Sequence, residues 1–360
     1  MKRFFYYLSV LLVSVLTSCG SRKHLPPRVE LPPVEVDSSL SAGDSCGLPD
    51  ALRPYFAFDQ GSLKPVKRPQ KHRPVKPVTK PQEVKTDPNR YTVKRGTRIT
   101  TRTVDVSAVY DCVKRVKIYD VTHRDVPEAF EGFKLAFVAD LHYESLLKAD
   151  GLRQLSRLLT AQHADALLMG GDYHEGCEFV APVMAAMGRV KTPHGTFAVM
   201  GNNDYEACYD VIVAEMKRQG MHLLEHRVDS ICKDGQRILI AGIRNPFDLA
   251  TNGVSPTLAL NPNDFVVMLS HTPDYAEDVS IANTDLFLAG HTHGGQVTLF
   301  GLYAPVVPSR YGQRFLSGLK YNSHHVPMII TNGIGTSKKA VRMFAPAEVV
   351  MIVLHRLKDN

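Results

Sequence analysis

Residues 133–142 read FKLAFVADLH, and this stretch decides the fold. Apart from Lys134 it is apolar up to Ala139, which predicts a buried strand rather than a half-exposed, alternating one. The strand then leads directly into Asp140 and His142 instead of ordinary turn residues. A buried strand that ends in a carboxylate and an imidazole indicates that the chemistry of this chain lies at the ends of its strands.

Further short apolar runs have the same character, and they comprise residues 166–169, 196–200, 237–243, 265–270, 285–289 and 328–331. Helical patterns separate the early runs, with apolar faces at Leu152, Leu155, Leu158 and Leu159, and at Val211, Ala214 and Met216. The last stretch, residues 341–355, predicts a closing pair of strands. This alternation predicts an α/β layered fold with a central sheet.

Four other predicted strands also end in polar groups, which are Gly170-Gly171-Asp172, Gly201-Asn202-Asn203-Asp204, Ser270-His271 and Gly290-His291-Thr292-His293. Ligands bind at the carboxyl ends of strands in open α/β sheets, so these groups can converge on one crevice. Taken singly, an Asp after a strand is often a helix cap and a lone His is often a packed or surface residue. Five groups in strand order instead favour a metal site of carboxylate, amide and imidazole ligands.

The ordered set DxH, GGD, GNxD, SH and GHTH resembles the calcineurin-like metallophosphoesterase family, from about Phe133 to the end of the chain. Residues 290–296 and 332–336 resemble its bacterial branch of membrane-associated phosphodiesterases, some of which act on UDP-diacylglucosamine-type lipid precursors. The resemblance implies an α/β fold, a four-layer α/β/β/α sandwich. It also implies a binuclear-metal-dependent enzyme that hydrolyses a phosphodiester or pyrophosphate by attack of a metal-bridging hydroxide.

The resemblance also implies a ligand set for two divalent ions, which we expect to be Mn, Fe or Zn. One ion would be held by Asp140, His142, Asp172 and His293. The other would be held by Asp172, Asn202, His271 and His291. Asp172 would therefore bridge the two ions.

Asn203 stands where members of this family commonly have a histidine that donates near the leaving group. Asparagine donates a hydrogen bond but does not titrate near neutral pH, so loss of proton transfer predicts slower turnover of poor leaving groups, by about 10²-fold. A diester or pyrophosphate would suffer less. His174 is either a replacement donor or a surface histidine. Asp204 either orients its neighbours or caps a helix that begins near Tyr205.

The N-terminus has the layout of a lipoprotein signal peptide over residues 1–18. Lys2 and Arg3 precede an apolar run, and Leu16-Thr17-Ser18 leads into Cys19. We expect Cys19 to be lipidated, which predicts a membrane-anchored lipoprotein of the cell envelope that faces the periplasm or exterior. An uncleaved hydrophobic tail or a plain secretory signal is the alternative.

Residues 19–96 predict a disordered, basic tether ahead of a folded domain at residues 97–360. The tether contains about half of the chain's 23 prolines and contributes to the formal charge of +7. It is either a solvated spacer or a segment that contacts anionic lipid. Without aromatic stacking patterns or a reading motif, its charge does not predict a nucleic acid partner. The cysteines lack zinc-site spacing, but one or two disulfides are possible in an oxidising compartment.

Two classes of function remain open from the sequence. The first is an enzyme whose partner is a phosphorylated small molecule or a lipid-linked substrate. Within this class, a phosphomonoesterase is the alternative to a phosphodiesterase or pyrophosphatase. The second is a catalytically weak, metal-binding envelope lipoprotein, in which Asn203 has replaced the family histidine.

Overall fold

The computed structural model describes residues 96–358. The predictions for residues 1–18, for Cys19 and for residues 19–95 lie outside this described part. Within residues 96–358, no helix is both long enough and apolar enough to cross a membrane.

The first of two sheets has seven strands, and four of them run parallel in sequence order. A C-terminal strand lies between the strands that are second and third along the chain. It runs parallel to the second strand and antiparallel to the third. Across the sheet the strands are β1 (Arg98–Asp105), β2 (Arg115–His123), β13 (Glu348–Arg356), β3 (Lys134–Val138), β4 (Ala166–Met169), β5 (Thr196–Ala198) and β6 (His222–Leu223).

The second sheet has six strands, of which the four central ones are parallel. The strand at each edge pairs antiparallel with its neighbour. In order across the sheet the strands are β11 (Gly318–Tyr321), β12 (Pro327–Ile330), β10 (Leu286–Ala289), β9 (Val266–Leu269), β8 (Gln236–Gly242) and β7 (Arg227–Lys233).

The central strands are buried on both faces, which explains their continuous apolar sequence. In β3, Leu135 and Phe137 belong to the core between the two sheets, whereas Ala136 and Val138 pack with the helices. Strand β9 shows the same pattern. Its side chains point alternately into the core between the two sheets and into the core on the outer face of the second sheet.

Helices cover the outer faces of both sheets. The first sheet is covered by α1 (Ala149–Ala161), α2 (Val180–Gly188) and α3 (Tyr209–Arg218). The second is covered by the short helices α4 (Leu249–Asn252) and α5 (Tyr275–Asp278). Short 3-10 turns occur at Glu128–Phe130, Cys177–Phe179, Pro256–Ala259, His293–Gly295 and Gly312–Phe315. The expected four-layer α/β/β/α sandwich is confirmed.

Two local predictions were wrong. The closing pair of strands is a single strand, β13, because Pro346 lacks an N–H and the segment before it forms only an isolated bridge, between Met343 and Val297. In α3 the buried face contains Ile212 and Met216, and Ala214 is exposed. The helix is therefore rotated relative to the predicted face.

A disulfide joins Cys177 to Cys208, with their Cα atoms 5.2 Å apart. Cys177 begins a 3-10 turn that follows the loop after β4, and Cys208 directly precedes α3. The bridge thus connects the loops that follow two adjacent parallel strands, β4 and β5.

Removing this disulfide should destabilise the domain, because the bridge restricts the unfolded chain across a separation of 31 residues. We expect the Cys177→Ser/Cys208→Ser double variant to lose about 3 kcal/mol of unfolding free energy in urea denaturation. Reductant serves as the matched control, since it should lower the stability of the wild type and leave the double variant unchanged. Equal stability of oxidised and reduced wild type would contradict the prediction.

Candidate metal centre

The loops that follow β3, β4, β9 and β10 bring acidic and imidazole side chains together at one edge of the two sheets. The structure places six of the seven predicted ligands in two groups, and within each group candidate ligand atoms lie within 4.8 Å of one another. The groups are Asp140, His142 and His293, and Asp172, His271 and His291.

Asp172 lies between the two groups. Its Oδ2 atom is 3.4 Å from Nε2 of His142 in one group and 3.4 Å from Nε2 of His271 in its own. Within the first group, Nε2 of His293 is 3.5 Å from Oδ1 of Asp140. A carboxylate in this position can contact cations in both groups, as the bridging role requires.

Hydrogen bonds on the far side of two imidazoles fix their orientation. Nδ1 of His271 lies 2.8 Å from the Gly170 carbonyl oxygen, and Nδ1 of His142 lies 2.6 Å from Oε1 of Glu175. In each case Nδ1–H donates, so Nε2 is the nitrogen that faces Asp172 and would bind a cation once it is deprotonated. Such outer partners are typical of metal-binding histidines, and sequence reasoning missed Glu175.

Buried polar atoms in this cluster fit a metal ion. Oδ1 of Asn202 and Nε2 of His142 are buried and have no hydrogen-bond partner within residues 96–358. Buried polar atoms in folded proteins nearly always have a partner. An amide oxygen and an imidazole nitrogen are also suitable ligands for a borderline divalent ion.

The carboxylates make the centre favourable for positive charge. Burial alone lowers the pKa of His142, but Asp172 and Glu175 outweigh burial and raise that pKa to about 10. In contrast, burial and the neighbouring His271 lower the pKa of His291 to about 3. His291 is therefore a neutral imidazole with a lone pair available for a cation.

The backbone at the ligands is unusual. Five ligands have positive φ angles between 39° and 69°, and they are Asp140, His142, Asp172, His291 and His293. Residues with a side chain rarely adopt this region, at a cost of about 1–3 kcal/mol each. Gly201 allows the close approach, because a Cβ atom there would lie 2.1 Å from Oδ1 of Asp172. Strained backbone at five of the seven predicted ligands is typical of a functional site.

Asp204 organises the loops rather than a helix. Its carboxylate accepts hydrogen bonds from the backbone N–H groups of Asp172, Tyr173 and Gly201, at 2.7, 3.1 and 2.8 Å. The predicted alternative of a helix beginning near Tyr205 was wrong, because α3 begins at Tyr209. Asp204 thus orients its neighbours and holds Asp172 in place.

Asn203 and His174 lie on either side of Asp204 in this hydrogen-bonded region. Asn203 donates to the two Asp172 carboxylate oxygens from its backbone N at 2.9 Å and from Nδ2 at 3.2 Å. His174 is buried rather than on the surface, and its Nε2 is 3.7 Å from Oδ1 of Asp204. The role of either residue as a catalytic donor stays a prediction.

Sequence reasoning also missed Arg342 and Phe247. The Arg342 guanidinium donates to the backbone carbonyls of four residues, which are His293, Asn332, Gly335 and Ala345. The ring of Phe247 is 5.2 Å from that of His291 and half exposed. No local motif marks either residue, since both are identified only by contacts between loops distant in sequence.

Comparison with known proteins agrees with this geometry. The calcineurin-like phosphoesterase family matches residues 133–295, which contain all seven predicted ligands. An uncharacterized metallophosphoesterase of Helicobacter pylori is 27% identical over 228 residues, which are 61% of this chain and 59% of that protein.

Two further relatives match over most of their own length. An uncharacterized metallophosphoesterase of Aquifex aeolicus is 24% identical over 67% of this chain and 91% of the relative. Phosphodiesterase YaeI of Escherichia coli is 29% identical over 62% of this chain and 82% of the relative. With the ligand geometry and the fold, these matches show that residues 133–295 form a calcineurin-like phosphoesterase domain.

Proposed function

We propose that this phosphoesterase binds two divalent ions and hydrolyses a phosphodiester or a pyrophosphate that is lipid- or nucleotide-linked. The observation that carries the proposal is the position of Asp172, which is buried and contacts histidines of both ligand groups. A single-ion site would not need a carboxylate between two groups. Two ions in such a site, when bound, supply positive charge to the phosphoryl oxygens and an activated water.

The chain's own residues hold and orient this centre. Asp140, His142 and His293 would contact one ion, Asn202, His271 and His291 the other, and Asp172 both. Glu175 and the Gly170 carbonyl keep two imidazoles in the tautomer that presents Nε2. Arg342 holds the backbone at His293 by donating to its carbonyl. Mn, Fe and Zn all suit this ligand set, which contains no thiolate.

The residue at position 203 supports a preference for diesters and pyrophosphates. Asn203 donates hydrogen bonds to Asp172 and carries no titratable proton. A phosphodiester or pyrophosphate with a stable leaving group depends less on proton donation than a monoester does. The relative from Escherichia coli is itself named a phosphodiesterase.

The cell envelope is the proposed location, with Cys19 as a lipid anchor in the membrane. The Cys177–Cys208 disulfide supports this location, because disulfides persist in oxidising compartments outside the cytoplasm. A phosphorylated small molecule or a lipid-linked compound is the proposed substrate, and nucleic acid is not a proposed partner.

A catalytically weak, metal-binding lipoprotein is the second candidate function. The observation in its favour is Asn203, because its backbone N–H and its side-chain amide both donate to Asp172. In this case the centre would bind metal and hydrolyse esters only slowly. Activity assays on metal-loaded protein distinguish the two candidates.

Replacing the shared carboxylate should abolish both metal binding and hydrolysis. We expect wild type to bind two Mn ions per chain and Asp172→Ala to bind fewer, with hydrolysis of a bis-aryl phosphate reduced by at least about 10³-fold. Metal analysis and the phosphodiesterase assay, each with and without chelator, measure these effects.

His324→Ala provides the matched control, because this histidine is exposed and belongs to neither ligand group. It should keep wild-type metal content and rate. Full activity of Asp172→Ala would contradict the binuclear proposal, whereas two bound ions without hydrolysis in wild type would favour the metal-binding lipoprotein.

Removing the carboxylate behind His142 should weaken metal binding without abolishing chemistry. Glu175→Gln keeps the shape of the side chain but loses the charge that accepts the hydrogen bond from Nδ1. We expect metal affinity to fall by about 10- to 100-fold, and the rate at saturating Mn to recover to near the wild-type value. An unchanged Mn titration would refute this role.

Introducing histidine at position 203 should widen the substrate range. We expect Asn203→His to raise aryl monophosphate hydrolysis by about tenfold or more, relative to bis-aryl phosphate hydrolysis, because an imidazole can donate a proton to a poor leaving group. Asn203→Gln is the matched control that cannot titrate, and it should give no such gain. An equal gain in monophosphate hydrolysis for Asn203→His and Asn203→Gln would contradict proton donation by the residue at position 203 and point to another donor.

A further inference from the structure

A ridge of exposed apolar side chains stands next to the metal centre. We call it the apolar ridge, and it consists of Phe300, Leu302, Tyr303, Val306, Val341 and Phe344, all exposed. Phe300 and Leu302 are 80% and 84% exposed. Soluble surfaces seldom expose several large apolar side chains together unless the patch binds a protein or a membrane.

The ridge is one structural unit made from two segments, the first around Phe300 and Val306 and the second around Val341 and Phe344. The backbone N of Thr298 donates to the Met343 carbonyl at 3.0 Å, and Val297 forms a β-bridge with Met343. The rings of Phe300 and Phe344 lie 5.7 Å apart. A tight turn, closed by a bridge between Leu299 and Tyr303, presents Phe300 and Leu302 at its tip.

The ridge is attached directly to the ligand loops. Arg342, within the second segment, donates to the His293 carbonyl at 3.1 Å. Gln296 begins the first segment, and its side chain donates to the carbonyls of Ser337 and Lys339 at 3.2 and 2.9 Å. The ridge and the metal centre therefore belong to the same face of the domain.

The charge around the ridge favours an anionic partner. No acidic residue occurs in the sequence between Asp285 and Glu348, a stretch that includes both segments of the ridge. Asp111 lines the same cavity as Val341 and Phe344, but Lys114 lines it as well. Lys338 and Lys339 are exposed beside it and form no salt bridge within residues 96–358. Aromatic and leucine side chains on a turn tip, flanked by unpaired lysines, are typical of a surface that enters a lipid interface.

We propose that the apolar ridge inserts into the head-group region of an anionic bilayer, so that the metal centre faces the membrane surface. This contact is separate from any anchor at Cys19 and does not depend on hydrolysis. It would make phosphoryl groups at the membrane surface accessible to the metal centre.

The absence of tryptophan from the chain allows a direct test. Leu302→Trp places the single tryptophan of the chain at the tip of the ridge, where its emission can be excited selectively. Val254→Trp is the matched control, because Val254 is a 69% exposed apolar residue on the loop before Pro256–Ala259. Both variants are made in the full chain with Cys19→Ser, so that no anchor forms at that position.

Vesicles of phosphatidylcholine with phosphatidylglycerol should shift Leu302→Trp emission to the blue, and brominated acyl chains should quench it. Val254→Trp should do neither, and pure phosphatidylcholine should give a much weaker response. Phe300→Asp/Leu302→Asp should bind anionic vesicles about tenfold or more less strongly than wild type, while it hydrolyses a water-soluble diester at the wild-type rate.

Unchanged Leu302→Trp emission with anionic vesicles would overturn the proposal, whether or not the chain co-sediments with them. An equal response to both vesicle types would overturn the anionic preference. Blue emission without vesicles that depends on protein concentration would instead assign the ridge to contact between two copies of the chain. Since the diester assay is independent of vesicles, none of these results bears on the proposed hydrolysis.

Discussion

The buried carboxylate of Asp172 is the interaction on which the rest of the site depends. Its oxygens contact His142, His271 and Asn203, while its own backbone N–H is bound by Asp204. A buried charge is costly unless it is paired and hydrogen-bonded, so the loops that supply these partners must converge. The two sheets make that convergence possible, because the strands that carry the loops end at a common edge.

The same arrangement explains how strained backbone persists at the centre. Ligands with positive φ are held by backbone hydrogen bonds to neighbouring loops, such as Asp140 N to the Gly171 carbonyl at 2.9 Å and His142 N to the Asp172 carbonyl at 3.0 Å. The inter-sheet core, buried on both sides, keeps the strands below these loops fixed. Rigid strands thus offset the strain that places the ligands, and outer residues such as Glu175 complete their orientation.

Strands that are buried on both faces could be predicted from the local sequence. Strands and contacts that depend on partners far away in the sequence could not. The run at Ala166–Met169 matches β4, since a continuous apolar sequence satisfies both of its faces. Strand β2 was missed although its polar and apolar residues alternate, and its partner β13 lies far along the chain. Their pairing includes the ion pair between Arg115 and Glu348, 2.6 Å apart, which no local pattern indicates.

The sequence by itself predicted the α/β class, because short apolar runs alternate with helical patterns, and its resemblance to the calcineurin-like metallophosphoesterase family implied the seven candidate ligands. The same resemblance implied the grouping of the ligands and the bridging position of Asp172. Only the tertiary structure revealed that Glu175 and Arg342 support them. It also decided that the apolar ridge stands beside the centre. These features are distances between loops that are remote in sequence, and such distances are fixed by the packing of two sheets.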